Sequence, residues 1–279
     1  MLVTLKEILD ICEAKGCAVG SFNTPNLESI MAVIGAAEEL GVPVIIQHAE
    51  VHEEIMPLSI IGPIMLELAK KATVPVAVHI DHGETLDYIY RALNMGFTSV
   101  MYDGSILPFE ENVANTKLVV ALAKKTGASV EAEIGCMGKR ETGSGSAGEG
   151  NDPEKIYTDP EQAKKFVELT GIDALACSFG TTHGVYISKP QLDFSVVEKV
   201  REKANIPVVM HGGSGVSRED FQKAIQTGVR KVNYYTYMAK AGGEALSGKQ
   251  YSQFHDALLD AREAMKQNVA KAIKVFCGE

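Results

Sequence analysis

Three histidines in the sequence are each followed directly by glycine: His82-Gly83, His183-Gly184 and His211-Gly212. A single histidine at a strand end is more often a packed core residue than a ligand. Three such histidines on different segments make a different case, because three imidazoles with one open coordination position form a catalytic zinc site. We expect each glycine to let the backbone turn so that the imidazole faces the site.

Carboxylates accompany these histidines. Asp81 precedes His82, and it could transfer a proton at the site or orient the imidazole through a hydrogen bond. Asp103 and Glu133 are expected to point the same way. They could form a second metal position, bind a displaced metal or serve as partners for the histidines. His79 is interpreted as a supporting or packing residue.

Glycine-rich segments of the sequence indicate a second kind of site, one that binds phosphate. Gly212, Gly213 and Ser214 lie in the segment His211–Gly215, which leads into a predicted helix, and Asn233 to Thr236 follow the next predicted strand. Backbone N–H groups at a helix start bind phosphate. The pair of segments therefore predicts a phosphate site, with a plain turn as the alternative.

The elements that must position these residues are short apolar runs separated by segments of helical period. The runs are Cys17–Phe22, Val42–Gln47, Val74–His79, Thr98–Tyr102, Ala128–Ile134, Asp173–Cys177, Ile206–Met210 and Lys231–Tyr234. Eight strand–helix units favour a single (β/α)₈ TIM barrel over a doubly wound open sheet. In such a barrel every polar segment described above converges on the carboxyl-terminal face of the strands. We assign residues 1–279 to one domain, with a mobile active-site loop at about 136–157.

Composition excludes several functions. The 279-residue chain carries a net charge of −9 without a basic cluster, so nucleic-acid binding is not expected. Neither a secretory signal nor a long apolar run is present, so no membrane association is expected. Five widely spaced cysteines fit a reducing, cytoplasmic environment.

The chain resembles the class II fructose-bisphosphate and tagatose-bisphosphate aldolase family over nearly its whole length. The matching stretches are GSFNTPNLE, HIDHG, VMYDGS, VEAEIG, HGVY, HGGSGVS and VNYYT, in the family's order. The resemblance implies a zinc-dependent aldehyde-lyase that reversibly cleaves a ketose 1-phosphate or 1,6-bisphosphate into dihydroxyacetone phosphate and an aldehyde. It also implies a monovalent cation such as Na⁺ or K⁺ near the phosphate. Barrels of this kind commonly form homo-oligomers, so a homo-oligomer is expected.

Roles follow from the resemblance residue by residue. It implies that His82, His183 and His211 bind Zn²⁺, with Asp103 and Glu133 as alternative or second-site ligands, and that Asp81 exchanges a proton with the C4 oxygen. Glu141, in the loop after the fifth strand, would be the second base. The dihydroxyacetone phosphate half would be held by Gly184, Gly212, Gly213, Ser214, Asn233 and Thr236.

Three departures from the family pattern bear on the substrate and the loop base. Lys139-Arg140-Glu141 replaces the usual Gly-Gly-x-Glu-Asp, which leaves Glu149 as a rival base. Gln253-Phe254-His255 replaces the Asp-Pro-Arg motif that grips a distal phosphate, and Ala49 stands where serine is frequent. A ketose 1-phosphate without a 6-phosphate, such as a sugar acid, is therefore an alternative substrate, unless Lys139 and Arg140 supply the charge. A zinc hydrolase and a non-catalytic barrel are the remaining alternatives.

Overall fold

The computed structural model describes residues 1–135, 157–182 and 190–279, in which the apolar runs form parallel strands. The strands are β1 Val19–Asn23, β2 Val44–Ala49, β3 Val76–Gly83, β4 Ser99–Tyr102, β5 Ser129–Ile134, β6 Ala174–Cys177, β7 Val208–Met210 and β8 Val229–Asn233. Each strand pairs with the next along the chain, and β8 pairs with β1. The sheet is therefore a closed barrel, which confirms the TIM barrel prediction and excludes the open sheet.

Helices cover the outside of the barrel and alternate with the strands. They are α1 Leu5–Lys15, α2 Leu27–Leu40, α3 Leu58–Lys71, α4 Leu86–Met95, α5 Phe109–Thr126, α6 Pro160–Thr170, α7 Phe194–Ala204, α8 Arg218–Thr227, α9 Thr236–Leu246 and α10 Phe254–Phe276. A short 3₁₀ turn, Glu50–His52, follows β2. Gly41 and Gly171 end α2 and α6 in the left-handed conformation.

Two apolar cores hold the fold together. The larger core lies between the barrel and the surrounding helices, and the smaller one fills the amino-terminal end of the barrel. Leu5, Ile8 and Leu9 of α1 close that end by packing on barrel residues such as Ile45 and Val209. Because the amino-terminal end is filled with apolar side chains, the polar chemistry is confined to the other end.

The largest difference from the predicted strand boundaries is at the end of β3. The sequence places the end of the third strand at His79, whereas β3 continues to Gly83 and includes Asp81 and His82. Ile80 pairs with His48 on β2 and Val100 on β4, so both neighbouring strands continue the ladder past His79. The pairing with β4 shifts register between Ile80 and Gly83. Asp81 and His82 are therefore held by a strand rather than by a loop.

Candidate active site

Alternation along the strands places a column of polar side chains inside the barrel. On β5, Val130, Ala132 and Ile134 belong to the outer core, whereas Glu131 and Glu133 are buried outside both apolar cores. Successive side chains of a strand point to opposite faces, so the two glutamates face the barrel interior. The same period of two places His79 with Asp81 on β3 and Lys231 with Asn233 on β8.

His82 lies at an irregular point of β3. Its φ is 41°, in the left-handed region that side chains other than glycine rarely adopt. The prediction that Gly83 makes the turn is therefore wrong, because His82 itself carries the positive φ. Gly83 is required for space instead: a Cβ there would lie 2.5 Å from Ile89 Cδ1 and 2.9 Å from the Met101 carbonyl oxygen. Backbone strain of this kind often marks a functional site.

Both ring nitrogens of His82 have polar neighbours. Nδ1 lies 2.8 Å from Asp103 Oδ2, and Nε2 lies 2.9 Å from Nδ1 of His211. Burial alone would lower the pKa of His82, but Asp81, Asp103 and Glu133 outweigh it and raise the pKa to about 10. His82 on β3 and His211 directly after β7 thus meet in a strongly anionic environment.

Asp81 is held by an amide on each side. Asn23 Nδ2 donates to Oδ2 at 2.9 Å, and Asn233 Nδ2 donates to Oδ1 at 2.9 Å. Burial would raise the pKa of this carboxyl group, but electrostatic interactions with His82, His211 and Lys231 outweigh burial and lower it to about 2. Asp81 is therefore an ionised carboxylate at neutral pH.

Asp103 and Glu133 complete the cluster around His82. Asp103 Oδ1 accepts hydrogen bonds from the backbone N–H and the hydroxyl of Ser105, at 3.1 and 2.6 Å. Burial opposes ionisation of Asp103, but its bond to His82 lowers the pKa. Burial and the Asp103 charge instead raise the pKa of Glu133 well above its usual value. Glu133 Oε2 lies 4.0 Å from His82 Nδ1 and has no hydrogen-bond partner among the described residues.

The donor set fits a zinc ion. Two groups have ligand atoms within 4.8 Å of one another: Asp81, His82 and His211, and His82, Asp103 and Glu133. Two nitrogens bound to one tetrahedral zinc lie roughly 3.3 Å apart, close to the 2.9 Å between His82 and His211. The bond from His82 Nδ1 to Asp103 is the carboxylate–histidine arrangement found behind metal ligands. His183, the third predicted ligand, lies outside the described residues.

Two buried charged residues below His211 are absent from the sequence-based predictions. Glu131 Oε1 lies 2.9 Å from His211 Nε2, and Lys231 Nζ lies 2.9 Å from Glu131 Oε2. Both side chains are fully buried. Their sequence signal is the spacing of two: Glu131 precedes Glu133, and Lys231 precedes Asn233, on strands predicted to be buried.

The residues predicted to bind phosphate differ in backbone conformation and in hydrogen bonding. Gly212 has a φ of 66° and makes the turn predicted after His211. The Gly213 N–H donates to the Asn233 carbonyl at 3.1 Å, and Ser214 Oγ accepts from the Tyr235 N–H at 3.3 Å. Thr236 is the first residue of α9, whose amino terminus has neither a capping side chain nor an acidic residue in its first turn. Backbone N–H groups at the start of a helix can bind an anion.

A histidine after β2 is a further residue that the sequence-based predictions do not include. His52 is 2% exposed, its ring centroid lies 5.2 Å from that of Tyr235, and its Nδ1 has no hydrogen-bond partner among the described residues. Ala49, at the end of β2, is buried beside Asp81 in the strand register. His255 is exposed on α10 beside Asp256.

The predicted loop residues and one phosphate residue lie outside the described part of the chain. These are Lys139, Arg140, Glu141, Glu149 and Gly184. None of the described helices is long and apolar enough to cross a membrane.

Comparison with known proteins gives one consistent result. Residues 3–279 match the family model described as fructose-bisphosphate aldolase class-II. A fructose-bisphosphate aldolase of Staphylococcus aureus (strain Mu50 / ATCC 700699) is 39% identical and aligns with 99% of this chain and 97% of its own. The crystal structure of the YdjI aldolase from Escherichia coli K12 is 37% identical, with a TM-score of 0.89 over 99% of this chain and 97% of that chain. A fructose-bisphosphate aldolase structure from Campylobacter jejuni is 26% identical, with a TM-score of 0.80 over 99% and 95%.

Proposed function

The chain belongs to the class II fructose-bisphosphate aldolase family, whose members are zinc-dependent aldehyde-lyases acting on phosphorylated sugars, and we propose that it cleaves a ketose 1-phosphate into dihydroxyacetone phosphate and an aldehyde. The observation that carries the proposal is the contact between His82 and His211 directly beside the ionised Asp81. A metal ligand pair next to a carboxylate base is an arrangement that can carry out a retro-aldol reaction.

The proposed zinc site uses His82, His211 and the undescribed His183, with Asp103 and Glu133 as alternative ligands. When bound, the zinc supplies Lewis-acid polarisation of the ketose carbonyl. Asp81 accepts the proton of the C4 hydroxyl group as the C3–C4 bond breaks. The electron pair of that bond then forms the enediolate of dihydroxyacetone phosphate. A second acid–base group must donate a proton to C3 of the enediolate, and Glu141, with Glu149 as its rival, stays our prediction for that role.

We place the substrate phosphate near the start of α9, with Gly184, Gly212, Gly213, Ser214 and Thr236 as candidate contacts. The uncapped amino terminus of α9 supports this position. The start of α8 is less suitable, because Ser217 caps it and Glu219 and Asp220 add negative charge to its first turn. Asn233 is a weaker phosphate candidate, since its amide nitrogen donates to Asp81. A monovalent cation near the phosphate, a homo-oligomeric state and a single 1–279 domain with a mobile loop remain part of the proposal.

The second part of the proposal is that the substrate carries no phosphate at its tail, the end far from the 1-phosphate. His255 stands where the family has an arginine that grips the distal phosphate, and a histidine cannot form the bidentate guanidinium clamp. His52 and Tyr235 offer an imidazole and a phenol instead. A ketose 1-phosphate with a sugar-acid or other unphosphorylated tail fits this composition better than fructose 1,6-bisphosphate does.

One experiment tests both parts. Dihydroxyacetone phosphate is combined with a panel of phosphorylated, neutral and carboxylated aldehydes, and the rate and product stereochemistry are measured. We expect condensation that stops on zinc removal, returns with zinc, and shows at most a weak preference for a phosphorylated acceptor. Asp81→Asn should lower kcat/KM by about 10²–10⁴-fold. Full activity after chelation refutes the zinc mechanism, and a preference of several orders of magnitude for the phosphorylated acceptor refutes the proposed tail.

A further inference from the structure

Lys231 is buried at the centre of the barrel, below the proposed zinc site. Its side chain is fully buried; its Nζ forms an ion pair with Glu131 Oε2 at 2.9 Å and donates a hydrogen bond to Asn233 Oδ1 at 2.7 Å. Burying an ammonium group is costly unless a counter-charge and hydrogen bonds compensate for it. Glu131 supplies the negative charge, so the two residues form a buried ion pair with no net charge.

Within this pair, Glu131 contacts His211. An ionised carboxylate can only accept hydrogen bonds, so Glu131 Oε1, 2.9 Å from His211 Nε2, requires the proton on that nitrogen. Nδ1 of His211 then carries the lone pair, and it is the nitrogen that lies 2.9 Å from His82 Nε2. The Lys231–Glu131 pair thereby selects which nitrogen of His211 is available to a metal.

Lys231 is connected to Asp81 through Asn233. An ammonium group can only donate, so its contact with Asn233 requires the amide oxygen on that side. The amide nitrogen then faces Asp81 Oδ1 at 2.9 Å. A reversed amide would present its oxygen to the carboxylate and repel it. Lys231 thus also orients the Asn233 amide so that its nitrogen donates a hydrogen bond to Asp81.

We propose that Lys231 is a positioning residue that prepares both halves of the active site, His211 through Glu131 and Asp81 through Asn233. The inference rests on the proposed aldolase function and deepens it. A lysine that only fills the barrel would contribute to stability without affecting the protonated nitrogen of His211 or the zinc affinity.

The test uses the double variant Glu131→Gln/Lys231→Met, which removes both charges and avoids leaving one buried alone. A glutamine can accept from His211 Nε2 or donate to it, so the tautomer is no longer fixed. We expect ¹⁵N NMR of the zinc-free protein to show two His211 tautomers where the wild type shows one. The zinc dissociation constant, measured by chelator competition, should rise about 10–100-fold. A reduced kcat should remain at saturating zinc, because Asn233 has also lost its partner.

Thr170→Val is the matched control, because Thr170 is a buried residue of α6 whose hydroxyl donates to the Phe166 carbonyl at 2.7 Å, away from the site. It should keep the wild-type tautomer and a zinc dissociation constant within threefold of wild type. A double variant that behaves like this control overturns the inference. If the wild type binds zinc but cleaves no ketose phosphate, the proposed function fails, while the tautomer and affinity measurements still decide the role of Lys231.

Discussion

Two carboxyl groups of the same site have pKa values shifted in opposite directions. The pKa of Asp81 is lowered to about 2 because electrostatic interactions with its neighbours and the Asn23 bond outweigh the effect of burial. The pKa of Glu133 is raised, because burial and the Asp103 charge prevail over the attraction of His82. Titratable pairs separated in this way identify acid and base roles. The residue environments therefore favour Asp81, rather than Glu133, as the proton acceptor.

His48 provides a prediction at the scale of a single residue. It is fully buried, its Nδ1 lies 2.6 Å from the Tyr88 hydroxyl, and burial lowers its pKa to about 4 although the Met56 carbonyl opposes the shift. The unfolded chain therefore binds a proton that the folded protein does not bind between pH 6.5 and 4. Stability contributed by the neutral imidazole is present above pH 6.5 and decreases as the pH falls.

We expect the free energy of unfolding to fall by about 2 kcal/mol between pH 7 and 5 through this residue. Urea unfolding of the wild type and of His48→Gln at both values measures the effect. The variant should lose that much less stability over the interval than the wild type. Equal pH dependence in the two proteins would contradict a neutral, buried His48.

At the scale of elements, the ends of β3 and β7 position the two proposed metal ligands by different means. β3 carries its ligand on an irregular strand with a positive φ at His82 itself, whereas β7 ends before His211 and turns at Gly212. An added Cβ at Gly212 would lie 2.3 Å from the Thr182 carbonyl oxygen, which belongs to the segment after β6. The two segments are packed too closely for any side chain at this position.

Gly212→Ala is therefore expected to displace the segment that carries His211. The left-handed φ of 66° and the clash together should lower the free energy of unfolding by about 2–4 kcal/mol, and kcat/KM should fall at least tenfold. Gly41→Ala is the matched control, because Gly41 also has a φ of 66° but an added Cβ would meet nothing within 4 Å. Urea unfolding and steady-state kinetics measure both variants. Similar losses of stability and activity in the two would refute the packing explanation.

At the scale of the whole molecule, the two ends of the barrel have separate tasks. The amino-terminal end is filled by the apolar side chains of α1, whose capping box joins Thr4 and Glu7. At the other end, His82 on β3 and His211 after β7 approach from different sides of the closed sheet. A zinc ion bound there would connect strands that are distant along the chain, so it should stabilise the entire barrel.

Zinc binding should therefore raise the melting temperature in proportion to the logarithm of its concentration. At a free zinc concentration 100 times the dissociation constant, the free energy of unfolding should rise by about 2.7 kcal/mol if zinc binds only the folded protein. Calorimetry in zinc buffers measures the gain, and His211→Ala should abolish it. Thr4→Ala should lower stability by about 1 kcal/mol with and without zinc, because it acts at the opposite end of the barrel. A zinc-independent melting temperature in the wild type would argue against the site.

Much of the fold could be predicted from the sequence, because its signals are local. Short apolar runs predict the strands, and the segments of helical period between them predict the helices that alternate with the strands. The end of β3 was mispredicted, because the polar residues Asp81 and His82 look like a loop. Their pairing with β2 and β4 keeps them in the sheet.

The sequence by itself determined that three histidine–glycine pairs and Asp81 follow or end buried strands, because residue type and the alternation of strands are properties of the chain alone. Only the tertiary structure decided which nitrogen of His211 faces His82 and which amide holds Asp81. Those assignments depend on Lys231 on β8 meeting Glu131 on β5, about 100 residues apart in the chain. Barrel closure sets that contact, since it places the inward-facing side chains of separate strands in one buried layer.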